Sequence, residues 1–216
     1  MTVRLLRHAT IALACTILMT GCSSTSLHSD LHVQLSYGAL PSDRTPLSEL
    51  KPMTIAIRVE DQREPAERNR VGDRINAYGT VLAKIVAQPD ALMAMQNAFQ
   101  TQFENNGHRV EVSGETNGPT ADAIVVVGMK KYWGEAKIHF FDVEMVGTVS
   151  ADVSISSVKN PSVTFTKSIS GTHRQGVPIA DDIDYQVALN GALKEFIHDF
   201  SFDPAIARAL REAHGE

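Results

Sequence analysis

The sequence predicts an α+β domain: an antiparallel or mixed sheet, two main helices packed on one face, and a short C-terminal helix. Three observations carry this expectation. Phe141, Val143, Met145, Val149, Ala151, Val153 and Ile155 share one parity, while Asp142, Glu144, Thr148, Ser150, Asp152 and Ser154 share the other. That period of two is a long strand with one wet face. Residues 89–106 and 181–200 instead repeat apolar side chains at spacings of three and four, the stripe of a helix buried on one side. Residues 123–127, AIVVV, are apolar throughout, as in a strand covered on both faces.

The chain opens on a segment of another kind. Arg4 and Arg7 precede an 11-residue, mainly apolar run from Ala9 to Met19. A short positive segment followed by such a run has the form of a secretory signal, and the run is too short for a bilayer span of roughly 20 residues. Its ending, Leu-Met-Thr-Gly-Cys, resembles the lipobox of bacterial lipoproteins. The resemblance implies cleavage between Gly21 and Cys22 and lipidation of Cys22. It also implies outer-membrane sorting, because Ser23 and not aspartate follows the cysteine. The expected organisation is a signal peptide over 1–21, a flexible tether over 22–30 and one periplasmic domain over 31–216.

Within the domain, Leu31, Val33, Leu35 and Tyr37 alternate as a half-buried strand. Residues 38–52 hold three prolines and read as a loop. Residues 53–60, MTIAIRVE, form a second strand. Residues 61–74 carry eight charges in fourteen positions, four of each sign, and read as a solvated loop. Residues 75–86 alternate again and read as one strand. Pro89 and Asp90 suit the start of a helix, whose stripe is Leu92, Met95, Phe99 and Phe103, with Gly107 as its stop. A short strand over 108–112 and a turn over 113–120 follow. The strand beginning at 123 continues to Trp133, a hairpin turn falls at 134–137, and Gly147 in the return strand reads as a bulge or bend. Asn160-Pro161 turns the chain into a strand bearing Val163, Phe165 and Ile169. Asp181, Asp182 and Asp184 open the last long helix, where the dipole favours carboxylates. Tyr185, Leu189, Leu193, Phe196 and Phe200 are its stripe, and Asp203-Pro204 opens a short helix to about residue 213.

Composition narrows the function. Cleavage removes two of the 20 basic residues and none of the 25 acidic ones, leaving 18 against 25 and a formal charge of −7. That sign opposes non-specific nucleic-acid binding, which depends on neutralised phosphates. Cys15 leaves with the signal and Cys22 takes the lipid, so neither of the two cysteines remains for a disulfide or a zinc site. No G-x-S-x-G, H-E-x-x-H, phosphate loop or dinucleotide fingerprint occurs, and the expectation is a protein that is no enzyme and holds no cofactor or metal. Two features are candidate partner contacts. Asp61 and Arg63 follow directly on an apolar strand, where they either brace the loop or meet a partner. Lys130-Lys131-Tyr132-Trp133 and His139-Phe140-Phe141 mix aromatic and basic residues, which stack on sugars, sit at a lipid interface or pack a hairpin end.

Lipobox, tether, a strand ending in Asp-Gln-Arg, a helix closing on Gly107, a long hairpin and a final helix together resemble the YajG family of bacterial lipoproteins, over about residues 31–210. The resemblance implies an outer-membrane-anchored α+β periplasmic domain. The expected function is binding or scaffolding beside an envelope-assembly or transport machine, with membrane attachment through Cys22 and an envelope protein as partner. A receptor for cell-wall fragments or lipid is the second reading and a hydrolase the third.

Overall fold

The computed structural model describes residues 30–38, 45–112, 121–160, 162 and 164–215. Gly21, Cys22, the signal, the tether up to residue 29 and the turn at 113–120 lie outside the described residues. Eight strands are present among them: β1 (Leu31–Gln34), β2 (Thr54–Asp61), β3 (Gly72–Ile75), β4 (Val81–Gln88), β5 (Arg109–Val112), β6 (Ala123–Ile138), β7 (Val143–Ser157) and β8 (Thr164–Val177). The helices are α1 (Ala91–Asn105), α2 (Asp182–Phe202) and α3 (Pro204–His214), with short 3-10 turns at Pro46–Glu49 and Pro65–Glu67.

The strands form one mixed sheet in the expected α+β architecture. β6, β7 and β8 are a long antiparallel ribbon. The other edge of β6 is shared: β2 pairs parallel with its first half up to Asp61–Met129, and β3 joins it further along at Gly72–Gly134. β5 continues outward from β2, while β4 and β1 continue outward from β3.

Both long helices cover one face. Phe99 of α1 meets Phe196 and Phe200 of α2 edge-on, with ring centroids 6.0 and 4.8 Å apart. From Val143 on, the β7 parity read from the sequence is the observed one, with Met145, Val149, Ala151, Val153 and Ile155 buried on the helix-covered face, whereas Phe141 precedes the strand and is exposed. Two of the three acids at the start of α2, Asp181 and Asp184, form its capping box. Asp181 accepts from the Ile183 amide at 2.9 Å, and Asp184 accepts from the Asp181 amide at 2.9 Å, which satisfies donors that the first helical turn leaves open.

Several expectations are corrected. Residues 75–86 belong to two strands: Asn76 Oδ1 accepts from the amides of Tyr78 and Thr80, both at 2.9 Å, and Gly79 takes φ +78, closing a β3–β4 hairpin. The turn expected at 134–137 lies at 139–142 instead, because β6 runs on to Ile138. Gly134 belongs to the strand, where Leu189 and Tyr185 of α2 stand 3.3 Å from the place of a Cβ. Gly147 is no bulge; a Cβ there would overlap the Ala188 carbonyl, so the glycine lets α2 lie against β7. The bulge is in β6, between Met129 and Lys131. Pro89 precedes α1, and Asp90 is its N-cap, accepting from the Met93 amide at 2.8 Å.

Candidate functional site

The two candidate features meet on the shared edge of β6. β2 leaves that edge where the Gln62 amide donates to the Met129 carbonyl at 2.9 Å, and the chain returns where the Gly134 amide donates to the Val71 carbonyl at 2.7 Å. The residues between bridge a gap in the sheet, and Arg63 fastens them. Its Nε and Nη2 donate to the two Asp61 carboxylate oxygens at 2.9 and 2.8 Å. Nη1 donates to the Arg70 carbonyl at 3.1 Å and Nη2 also to the Arg68 carbonyl at 3.0 Å. The Arg63 amide donates to Asp61 Oδ1 at 3.1 Å, and Arg68 Nε donates back to the Arg63 carbonyl at 3.1 Å.

A planar guanidinium suits this double duty because its fork binds a carboxylate with two donors and leaves others for carbonyls. The Arg63 side chain is only 2% exposed and that of Asp61 13%. Burial pushes the Asp61 carboxyl up, but the hydrogen bonds and charge of Arg63 more than offset it, and the group titrates below the ordinary carboxylate range. Of the two readings open to Asp61–Arg63, the structure favours the brace: Arg63 lies inside the loop, with almost no surface to offer a partner.

The bulge at Lys130 sets the aromatic pair. It reverses the parity of β6, so Tyr132 points into the core opposite Val149 and Trp133 points outward opposite Thr148. Tyr132 is fully buried, its hydroxyl has no hydrogen-bond partner among the described residues, and burial pushes the phenol well above its usual range. Tyr132 is therefore a core residue, not a surface contact. Trp133 is half-buried, with the Arg70 guanidinium 5.5 Å from its ring centroid, a cation–π pairing. Arg70 Nη1 also donates to Asp73 at 2.5 Å. Trp133 does not stand at the hairpin end beside Phe140 and Phe141, as the sequence suggests. It stands five residues short of Ile138, about 17 Å along the strand.

The result is a fixed loop with an open outer surface. Glu64, Pro65, Ala66, Arg68 and Asn69 are exposed, and a cavity of about 220 Å³ lies between the loop and the start of α1, lined by Arg63, Arg68, Arg70, Val86 and Asp90 among others. No cluster of metal-ligating side chains occurs among the described residues. The open face of the ribbon carries the Lys130–Asp152 ion pair and a Ser154–Thr166 hydrogen bond at 3.0 Å. Sequence reasoning missed Tyr78 and Ile179, which are 93% and 82% exposed at the same end of the sheet as Phe140 and Phe141. The signal was there: each is a large apolar residue next to a turn glycine or proline.

Residues 46–211 match the model of a family described as "uncharacterized lipoprotein", Lipoprotein_16. No curated protein matches the chain. Among solved structures, the chain resembles protein XCC0632 from Xanthomonas campestris, of family DUF330, with TM-score 0.55 and 9% identity over 79% of this chain and 91% of that one. Lipoprotein GNA1162 from Neisseria meningitidis aligns at 15% identity over 60% of this chain and 88% of that one, with TM-score 0.34. A minor lipoprotein from Acinetobacter baumannii aligns at 6% identity over 70% and 92%, with TM-score 0.37. The last two scores are too low to argue a shared fold.

Proposed function

This chain belongs to the Lipoprotein_16 family of uncharacterised lipoproteins, and on that premise we propose a non-catalytic binding or scaffold protein of the periplasm. It is held to the outer membrane by lipid on Cys22 and serves an envelope-assembly or transport machine. Within the family we read it as YajG-like, from Asp61-x-Arg63 and the helix that closes on Gly107. The observation that carries the binding role is the loop 63–70, which is exposed along its outer side and pinned from inside by Arg63. A loop already ordered before contact loses little conformational freedom on association. The 220 Å³ cavity beneath this loop is below the roughly 300–1,000 Å³ usual for small-ligand sites, so the loop suits a partner surface better than a ligand pocket.

A photo-activated cross-linker at Arg68 tests the loop in living cells, with one at Ser154 on the open face as control. The expected result is one envelope protein captured from Arg68 and not from Ser154. Capture from Ser154 alone would move the contact off the loop and contradict the reading. The anchor is tested separately: labelled palmitate enters the wild type and not Cys22→Ala.

A further inference from the structure

Three connections of the fold converge at one end of the sheet. β3 runs parallel to β6, with Gly72 opposite Gly134, so the β3–β4 turn lies beside the end of β6. The β6–β7 turn is there by continuity, and β8 ends there because Val177 pairs with Val143. The link 178–181 and the first turn of α2 follow directly. A cavity of about 190 Å³ lined by residues of all three, including Leu82, Ile138, Val143 and Ala180, joins them.

The outside of this end is apolar. It carries Tyr78, Phe140, Phe141 and Ile179, which are 93, 91, 89 and 82% exposed, the four most exposed large apolar side chains among the described residues. Phe140 and Phe141 meet edge to face at 4.6 Å. Val81, Leu82, Ile138 and Ile183 extend the patch, so that eight of the twelve such exposed residues share one end. Concentration of this kind marks a surface that is covered in use, since apolar residues scattered singly need no such explanation.

β1 shows from which side the anchor enters. Leu31 pairs with Ile85 and Gln34 with Gln88 in parallel, and β4 runs away from the apolar end. The chain before Leu31 therefore arrives from the apolar end. Cys22 precedes Leu31 by nine residues, a reach of at most about 30 Å. Leu31 stands level with Gly134, because Ile85 pairs with Gly72 and Gly72 with Gly134. Ile138 is four residues further on, about 14 Å.

We propose that this apolar end sits in the leaflet that holds the lipid of Cys22, with Phe140, Phe141, Tyr78 and Ile179 at the boundary between headgroups and acyl chains. The inference rests on the lipid-anchor reading. Aromatic side chains favour that boundary, and apolar faces enter it by about 5–10 Å. Three ion pairs stand behind the rim, Arg74 with Asp182 at 4.0 Å, Lys137 with Glu135 at 3.2 Å and Arg174 with Glu144 at 3.3 Å, and the exposed Asp142 on the turn adds a negative charge that an anionic leaflet does not attract. The contact is therefore apolar rather than electrostatic. It stands the ribbon up from the membrane and lifts the loop 63–70 clear of the lipid.

The test uses the full chain with Phe140→Trp in a Trp133→Phe background, in vesicles of phosphatidylethanolamine and phosphatidylglycerol whose acyl chains carry bromine. Position 140 is exposed, so the substitution leaves the fold intact. Emission from the tryptophan introduced there is expected to shift to the blue and to lose most of its intensity, equally at about 0.1 and 1 M salt. The wild-type chain, whose single tryptophan is Trp133, stays unquenched. An anchored chain with unquenched emission at position 140 overturns the proposal. So does a blue shift that grows with protein concentration without quenching, which assigns the patch to a second copy. If palmitate labelling fails while added chain is still quenched, the anchor reading falls and the membrane contact stands; if both fail, both fall.

Discussion

The loop 62–71 joins β2 to β3 along the edge of β6, the turn 139–142 joins β6 to β7, and they are built in opposite ways. The loop is highly charged, yet its central side chain, Arg63, is 2% exposed and hydrogen-bonded to one carboxylate and two carbonyls. The turn is aromatic, yet Phe140 and Phe141 are about nine-tenths exposed and pack edge to face on each other. Composition alone would put the first in water and the second in the core. Where a side chain ends up depends on whether partners are placed to meet it. Arg63 has Asp61 two residues back and carbonyls on the returning chain; the two phenylalanines lie beyond the last strand pair, out on the turn.

The contrast breaks most severely at Arg63. Arg63→Ala leaves a largely buried carboxylate without its partner and should destabilise the domain by about 3–5 kcal/mol, measured by chemical denaturation. Arg63→Lys keeps the charge and loses the fork, and should fall between wild type and alanine. The pH dependence sharpens the assignment. Asp61 is held below its ordinary value of 3.8 in the folded protein. Its contribution is therefore complete above that value and lost as pH falls through the lower folded value. Asp61→Asn should remove that acid-limb loss from the stability profile.

Smaller effects mark the two other sites. Tyr132→Phe deletes a buried hydroxyl without a partner and should be neutral or stabilising by about 1 kcal/mol, the reverse of a lost contact. Phe140→Ser and Phe141→Ser remove nothing the core uses and should stay within about 0.5 kcal/mol of wild type in solution. A loss of several kcal/mol at the turn would mean that these rings pack the fold, and the comparison would collapse.

Much of the fold was legible in the residues. The β7 parity and the stripes of α1 and α2 were readable because each element is long and buried on one side, so that period and burial agree. The errors fall where a local signal serves a distant contact. Gly134 and Gly147 look like turn or bulge glycines, but each makes room for α2, whose position no local window contains. Asn76 and Gly79 carried the β3–β4 turn, and the alternation of Ile75, Ala77, Gly79 and Val81 masked it by continuing through. At the candidate site, Asp61 and Arg63 were visible as a pair. Their burial was not, because it depends on carbonyls of the chain returning to β3. The apolar end was legible only in pieces, since its residues come from three turns far apart in sequence.

The central claim is that the loop belongs to the fold while the apolar end awaits a surface. Hydrogen exchange on the chain, free and anchored to vesicles, tests both halves at once. Slow exchange is expected at the Gln62 and Gly134 amides, which bridge the gap in the sheet, with or without vesicles, and faster exchange at Gln62 in Arg63→Ala. Residues 138–142 are expected to gain protection only when vesicles are present. Rapid exchange at Gln62 in the wild type, or protection at 138–142 that ignores the membrane, would contradict the central claim.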